Sequence, residues 1–284
     1  MKRLIVTDST SDLPPEVAKQ LGIKVIPVNV VLNGKYYKDG VDLDKDDFYR
    51  NYYEYKDPRT EAVKYEEYAL IYMQLTQHYD EIIIIHCTRH LSDTYETAVR
   101  VHEDFKDSHN CRVQVIDSKA CSMGLGLIVI AAARAAIKGV SFEENITIVN
   151  NMIPRIISYL GINTLKYLKR GGKIGGFRAL LGLTLGVKPV MTFIDGKPEI
   201  ITKLFGKQKN MILSMMDRIK EDIGSDPINL AIVYSKEIMV VNSIKSVFES
   251  TFTCRNIYVG RFGPSIGINT GPETVAIMFY KDRG

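Results

Sequence analysis

Leu4-Ile-Val-Thr-Asp-Ser-Thr-Ser-Asp12, followed by Pro14-Pro15, decides the fold class of this 284-residue chain. A short apolar run ends in a string of hydroxyl and carboxylate side chains. Two prolines then open a helical pattern with Val17 and Leu21. Proline suits the first helical position because its missing N–H has no intrahelical partner there. Strand, polar turn and helix in that order form the opening unit of an α/β sheet.

The unit recurs along the first half. Ile82-Ile-Ile-Ile85 predicts a buried strand, followed by a helix from about Ser92 to Phe105. Arg112-Val-Gln-Val-Ile116 predicts another strand, then Asp117-Ser118 and Ser122, then a long helix to about Lys138. Between these units, Lys24 to Leu32 is valine-rich and reads as one strand. Asn33-Gly34 is a hairpin turn signal leading into Lys35-Tyr-Tyr-Lys38, and Asp44 can cap a helix through about Tyr55. Apolar strands alternating with helices predict a mainly parallel sheet with helices on both faces.

The second half reads differently. Phe142 to Leu160 is mostly helical, with Pro154 as a break, and Gly161-Ile162 leads into a short extended piece. Strands follow at about Val187–Phe193 and Glu199–Thr202 around the turn Asp195-Gly196. A helix (Met211–Ile219), a strand (Leu230–Val233), a helix (Val240–Phe248) and strands near Ile257 and Val275–Phe279 complete the chain. The expected organisation is two α/β domains, residues 1–158 and 159–284, with one end strand able to cross back.

Composition narrows the function classes. Hydrophobic residues make up 45% and charged residues 25%, enough apolar side chain for a packed core. The net charge of +4 is too weak a field for a dedicated nucleic-acid binder, and there is no basic tail. The longest apolar stretch, Leu125 to Ile137, is interrupted by Arg134 and falls short of the roughly 18 residues a membrane span needs. Asp8 arrives before any signal-length apolar segment, so the default location is the cytoplasm, with no stable membrane insertion. Cys87, Cys111, Cys121 and Cys254 are scattered and suggest neither a zinc knuckle nor a disulfide framework.

Single motifs give little chemistry. Gly263-Pro-Ser265-Ile-Gly267 matches G-x-S-x-G, but all five histidines precede residue 110, so the α/β-hydrolase order is excluded and an ordinary Gly-Pro loop is the reading. Gly124-Leu-Gly126 lacks the third glycine of a dinucleotide fingerprint, Val129 standing there, and reads as a tight helix contact. There is no P-loop. His86 and His90 straddle a strand end and a loop rather than one helix face, so no metal site is expected, and no cofactor. Arg170-Gly-Gly-Lys-Ile-Gly-Gly176 is either an anion cradle or a plain helix-to-helix turn with solvated charge.

Hydroxyls gathered at strand ends are more informative. Ser9, Thr10 and Ser11 follow the first strand, Thr88 and Ser92 the second unit, and Ser118 and Ser122 the third. In an open α/β sheet these fall on one carboxyl edge, where ligands bind. Hydroxyls and helix N-termini there can hold an anionic head group without a catalytic base, though each residue alone also serves as a helix cap or turn.

Several blocks then line up in one order. They are Thr7-Asp-Ser-Thr-Ser-Asp-Leu-Pro14, Tyr37-Lys-Asp-Gly-Val-Asp42 with Asp47-Phe-Tyr49, Leu91-Ser-Asp-Thr-Tyr95, and Asp117-Ser118 with Ser122-Met-Gly124. Leu165-Lys-Tyr-Leu-Lys-Arg-Gly-Gly-Lys-Ile174, Val187-Lys-Pro189 and Gly267-Ile-Asn-Thr-Gly-Pro272 follow. Together they resemble the DegV family of bacterial fatty-acid-binding proteins, which includes the lipid carriers of fatty acid kinase systems.

The resemblance implies a non-enzymatic carrier with an acyl chain buried between two domains. It also implies a carboxylate held by a threonine, a serine and a histidine. The threonine position matches Thr60, the serine Ser92, and the histidine falls on Asn269, which can donate a hydrogen bond but never carry charge. Asp8, Ser9, Thr94, Ser122 and Thr270 would support that polar site. The family glycine after the serine is Asp93 here, and the usual T-S-Q-P reads Thr60-Glu-Ala-Val63. In the family a partner fatty acid kinase supplies the phosphoryl chemistry, and Lys173, Lys203, Lys207 and Lys209 are candidate contacts for it. Met123, Leu125, Leu127, Ile174 and Leu180 are candidates for the tunnel wall or for ordinary interdomain core. Two other readings stay open: a scaffold that takes a lipid with a different head group, and an enzyme acting on a small anionic substrate at the Asp8/Ser9 and Ser118/Ser122 edge.

Overall fold

The computed structural model describes residues 1–170, 186–236 and 238–282. Strands β1 to β7 are Arg3–Asp8, Ile23–Ile26, Asn29–Leu32, Lys35–Lys38, Arg59–Glu61, Glu81–His86 and Arg112–Asp117. Strands β8 to β13 are Ile157–Gly161, Lys188–Ile194, Lys197–Leu204, Ile228–Tyr234, Cys254–Arg261 and Val275–Lys281. Helices α1 to α5 are Pro15–Gln20, Lys45–Arg50, Tyr65–His78, Thr94–Phe105 and Met123–Ile137. Helices α6 to α10 are Phe142–Met152, Lys166–Arg170, Gln208–Ile223, Ile238–Thr251 and Pro264–Thr270.

The first sheet is parallel throughout, in the order β2-β1-β6-β7. Its strands alternate faces with a period of two, and both faces are buried. Leu4, Val6, Ile82 and Ile84 pack with Tyr68, Tyr72, Ala98 and Val101 of α3 and α4. Ile5, Ile83, Ile85 and Ile116 point the other way, onto α5. The expected parallel sheet with helices on both faces is thus present.

The second sheet is mixed, in the order β10-β9-β8-β13-β11-β12, antiparallel except for the β11–β12 pair. Leu230, Ile232, Ile277 and Phe279 pack against Met211, Met215, Ile219 and Phe248 of α8 and α9. Ala231, Val233, Ala276 and Met278 share a core with α5 instead. Helix α5 therefore lies between the two sheets, which is why it is apolar nearly all round. Each fully buried Leu or Ile there contributes about 1.5–3 kcal/mol relative to exposure.

Gly124 and Gly126 permit that sandwich. A Cβ on Gly124 would lie 3.2 Å from Ser158 Oγ, and one on Gly126 3.0 Å from the Ser11 carbonyl. The G-L-G pair is a close-packing device between two strand ends.

Four expectations need correction. Lys24–Leu32 is two strands, because Pro27 ends β2 and the chain turns into the small antiparallel sheet β4-β3-β5. The helix from Phe142 stops at Met152; a 3₁₀ turn holding Pro154 follows, and β8 begins at Ile157. Among the described residues no end strand crosses back: β13 sits between β8 and β11, its register fixed by pairing on both sides. An element that does reach the first half is α10, read from sequence as a Gly-Pro loop. It packs against β3 and β5.

Candidate functional site

Where β1, β6 and β7 end, a cavity of about 350 Å³ opens between the two halves of the chain. That size is within the range of small-molecule sites, and its position at the carboxyl edge is the one expected for an open α/β sheet. Val28, Ala62, Cys87, Leu91 and Cys121 line it from the first half. Leu160, Leu168, Met191, Phe193, Phe262 and Met278 line it from the second. The wall is mostly apolar, with a limited set of polar groups.

Those polar groups include the three residues singled out for the head group. Thr60 comes from β5, held in register opposite Val30. Ser92 lies just before α4, its hydroxyl 3.0 Å from Thr94 Oγ1. Asn269 lies near the end of α10, where its Nδ2 donates to the Ser265 carbonyl at 2.9 Å. Its Oδ1 is buried without a hydrogen-bond partner among the described residues. Ser122 and Thr270 line the same cavity. Among the described lining residues there is no lysine, arginine or histidine, whereas Glu61 and the exposed Asp93 bring two carboxylates.

Other candidates sit elsewhere. Asp8, Ser9 and Thr94 do not reach the wall. Asp8 is fully buried, and its oxygens accept from His86 Nδ1–H at 2.7 Å and the Thr10 amide at 2.9 Å. Burial opposes the Asp8 charge, but the His86 and Thr10 hydrogen bonds and the His86 ring hold its carboxyl below the ordinary value. It thereby fixes Thr10, which does line the cavity. His86 Nε2 lies 2.7 Å from the Tyr68 hydroxyl, so both ring nitrogens of this histidine are engaged in the core. Ser9 Oγ accepts the Val28 amide at 3.1 Å, and Thr94 is buried against Ser92.

Met123, Leu125 and Leu127 do not line the cavity; they are core of the α5 sandwich. Ile174, Leu180, Lys173 and most of the basic loop 170–176 lie outside the described residues. Lys203 and Lys207 are exposed, on β10 and just before α8.

The G-x-S-x-G segment has a packing explanation. A Cβ on Gly267 would come within 2.5 Å of the Tyr49 hydroxyl oxygen, so glycine lets α10 press against α2. Beside it, two buried carboxylates that sequence reading passed over converge on Gly263. Asp12 accepts from the Gly263 amide at 2.6 Å, and an added Cβ at Gly263 would meet Asp39 Oδ1 at 3.1 Å. Burial pushes the Asp12 carboxyl up to about 7 and raises that of Asp39. No spacing signals this pair, because tertiary packing brings β4, the first loop and α10 together.

Residues 2–282 match the model of a protein family described as "Uncharacterised protein, DegV family". The chain belongs to the DegV family. This DegV chain is 34% identical over 280 residues to a DegV domain-containing protein of Caldanaerobacter subterraneus subsp. tengcongensis, covering 98% of each. A solved DegV family protein from Thermus thermophilus, described for its fatty acid binding, superposes with a TM-score of 0.87 at 30% identity. The match covers 99% of this chain and all of that one. DegV from Bacillus subtilis, described as a fatty acid binding protein, gives a TM-score of 0.89 at 25% identity, with coverage of 99% and 100%.

Proposed function

We propose that this protein is a non-enzymatic carrier that binds a long-chain fatty acid or closely related lipid between its two halves. The proposed domains are residues 1–158 and 159–284. The observation that carries the reading is the apolar cavity, lined from both halves and holding Thr60, Ser92 and Asn269 together. Each methylene moved from water into such a wall contributes about 0.8 kcal/mol, so ten give about 8 kcal/mol before ordering costs. The hydroxyls of Thr60 and Ser92 donate to the head group, and Asn269 completes the polar end without charge. Asp8 and Thr94 hold Thr10 and Ser92 in place. A partner kinase supplies any phosphoryl transfer, with Lys203 and Lys207 as its contacts in a cytoplasmic setting.

The lining favours a variant of this reading: the head group binds in neutral form. With no cation among the described lining residues, and with Asp93 and the Arg59-paired Glu61 beside it, a carboxylate finds hydrogen-bond donors in Thr60 and Ser92 but no charge partner. A protonated acid, alcohol or amide head group fits better. Displacement of a fluorescent fatty-acid probe tests the site. Thr60→Val and Ser92→Ala should each weaken binding about fivefold, the value of one hydrogen bond, with melting unchanged. Unchanged affinity in both variants would remove these residues from the site.

A further inference from the structure

Two cysteines distant in sequence meet in the cavity wall. Cys87 follows β6 and Cys121 precedes α5, and His86 of β6 stands opposite Asp117 of β7. The Thr88 amide donates to the Ala120 carbonyl at 2.9 Å. The peptide unit leaving Cys87 is therefore hydrogen-bonded directly to the one entering Cys121, which holds the two residues side by side. The two thiols are close enough for each to oppose ionisation of the other. Both are free, buried and part of the cavity lining. Cys111 and Cys254 are partly exposed, lie outside this cavity, and serve as internal controls.

We propose that Cys87 and Cys121 form a redox-active dithiol, a modification site for an apolar hydroperoxide that reaches it through the lipid cavity. One sulfur attacks an oxygen of the hydroperoxide. The O–O bond breaks, an S–O bond forms, and the alcohol leaves with the proton. The second sulfur then attacks the sulfenic sulfur, an S–S bond forms, the S–O bond breaks and water leaves. One hydroperoxide and two thiols thus give one alcohol, one water and one disulfide, and the two sulfurs supply the two electrons. The adjacent Cys121 thiol and burial push the Cys87 thiol well above its ordinary value. Less of that thiol is in the reactive thiolate form at neutral pH, so oxidation of the pair speeds up as pH rises.

The test treats the full-length protein, stripped of lipid, with linoleic acid hydroperoxide and maps its peptides by mass. The expected product is a Cys87–Cys121 cross-linked peptide lighter by two hydrogens and reversed by dithiothreitol. Prior loading with oleic acid at about ten times its Kd should slow its formation about tenfold. Cys87→Ser and Cys121→Ala should each abolish the cross-link and leave a sulfenic acid on the remaining thiol that dimedone traps. Oxidation confined to Met191, Met278, Cys111 or Cys254 would overturn the proposal. So would equal rates in loaded and empty protein, provided oleic acid binding is confirmed separately. A cross-link in protein that binds no lipid would leave the dithiol standing and sink the carrier reading alone.

Discussion

The Ser122 hydroxyl donates to Asp12 Oδ2 at 2.6 Å, while Asp12 Oδ1 accepts the Gly263 amide at the same distance. One buried carboxylate thereby joins the loop after β1, the start of α5 and the start of α10. These are the segments that frame the polar end of the cavity, so the folding of each half is coupled to the shape of the site.

That coupling should depend on pH. Burial raises the Asp12 carboxyl from the ordinary 3.8 to about 7, against the pull of Lys45 and the Ser122 and Gly263 hydrogen bonds. The folded protein therefore holds a proton that the unfolded chain has released between those values. The contribution to stability is full below about 4 and is lost as pH rises through about 7. Denaturant titrations across this window should show the loss, and Asp12→Asn should flatten it. An unchanged slope in Asp12→Asn would assign the pH dependence to another group.

Ser122 carries backbone strain. Its φ of 52° and ψ of −145° lie in a region that is essentially glycine's, and its amide donates to the Thr10 carbonyl at 2.8 Å. Ser122→Ala keeps the strain and loses the bond to Asp12, so it should destabilise by about 1–3 kcal/mol. Ser122→Gly loses the same bond but relieves the strain, and should cost less. Equal melting temperatures for the two variants would show that the strain is not felt.

Asn269 and Asp93 set the charge at the ligand head. Asn269→His should add a binding titration near about 6.5 to whatever pH dependence Asp12 gives the parent protein. Asp93→Gly removes a solvent-exposed carboxylate and should tighten fatty acid binding by about two- to fivefold, less at high salt. Calorimetric titrations at several pH values read both. Identical pH profiles for Asn269→His and the parent protein would place residue 269 away from the head group.

The β9–β10 hairpin closes the cavity from the second sheet. Its turn is pinned to the first sheet by Thr88, whose hydroxyl donates to the Gly196 carbonyl at 2.8 Å, and by an ion pair between Lys119 and Asp195. Gly196 has a φ of +79°, and a Cβ there would lie 2.7 Å from Thr88 Oγ1. Gly196→Val should lift the turn and speed release of a fluorescent fatty acid in stopped-flow measurements. A release rate equal to that of the parent would show that the hairpin is not a barrier.

Legibility from sequence followed the range of the forces involved. The strand-turn-helix units at Leu4, Ile82 and Val113 were readable because their signals are local: apolar runs ended by capping groups. β8 was missed because the apolar residues of Ile156–Leu160 fit either period until tertiary pairing decides. α10 was missed because seven residues opened by Gly263-Pro264 do not make a helix in isolation; contact with β3, β5 and the α2 aromatics holds it. That Thr60, Ser92 and Asn269, proposed here for the head group, share one cavity is suggested in the sequence only by ordered blocks of family resemblance. The second-sheet wall, Met191, Phe193 and Met278, and the Cys87–Cys121 contact carried no local signal, since only the meeting of separate strands creates them.

Native mass spectrometry of the purified protein, with extraction and identification of what it carries, addresses the carrier reading most directly. A one-to-one complex with a long-chain fatty acid or a lipid of similar chain is the predicted result, displaced by added fatty acid and weakened in Thr60→Val with Ser92→Ala. Protein that arrives empty, takes up no fatty acid over a wide concentration range and displaces no fluorescent probe would contradict it.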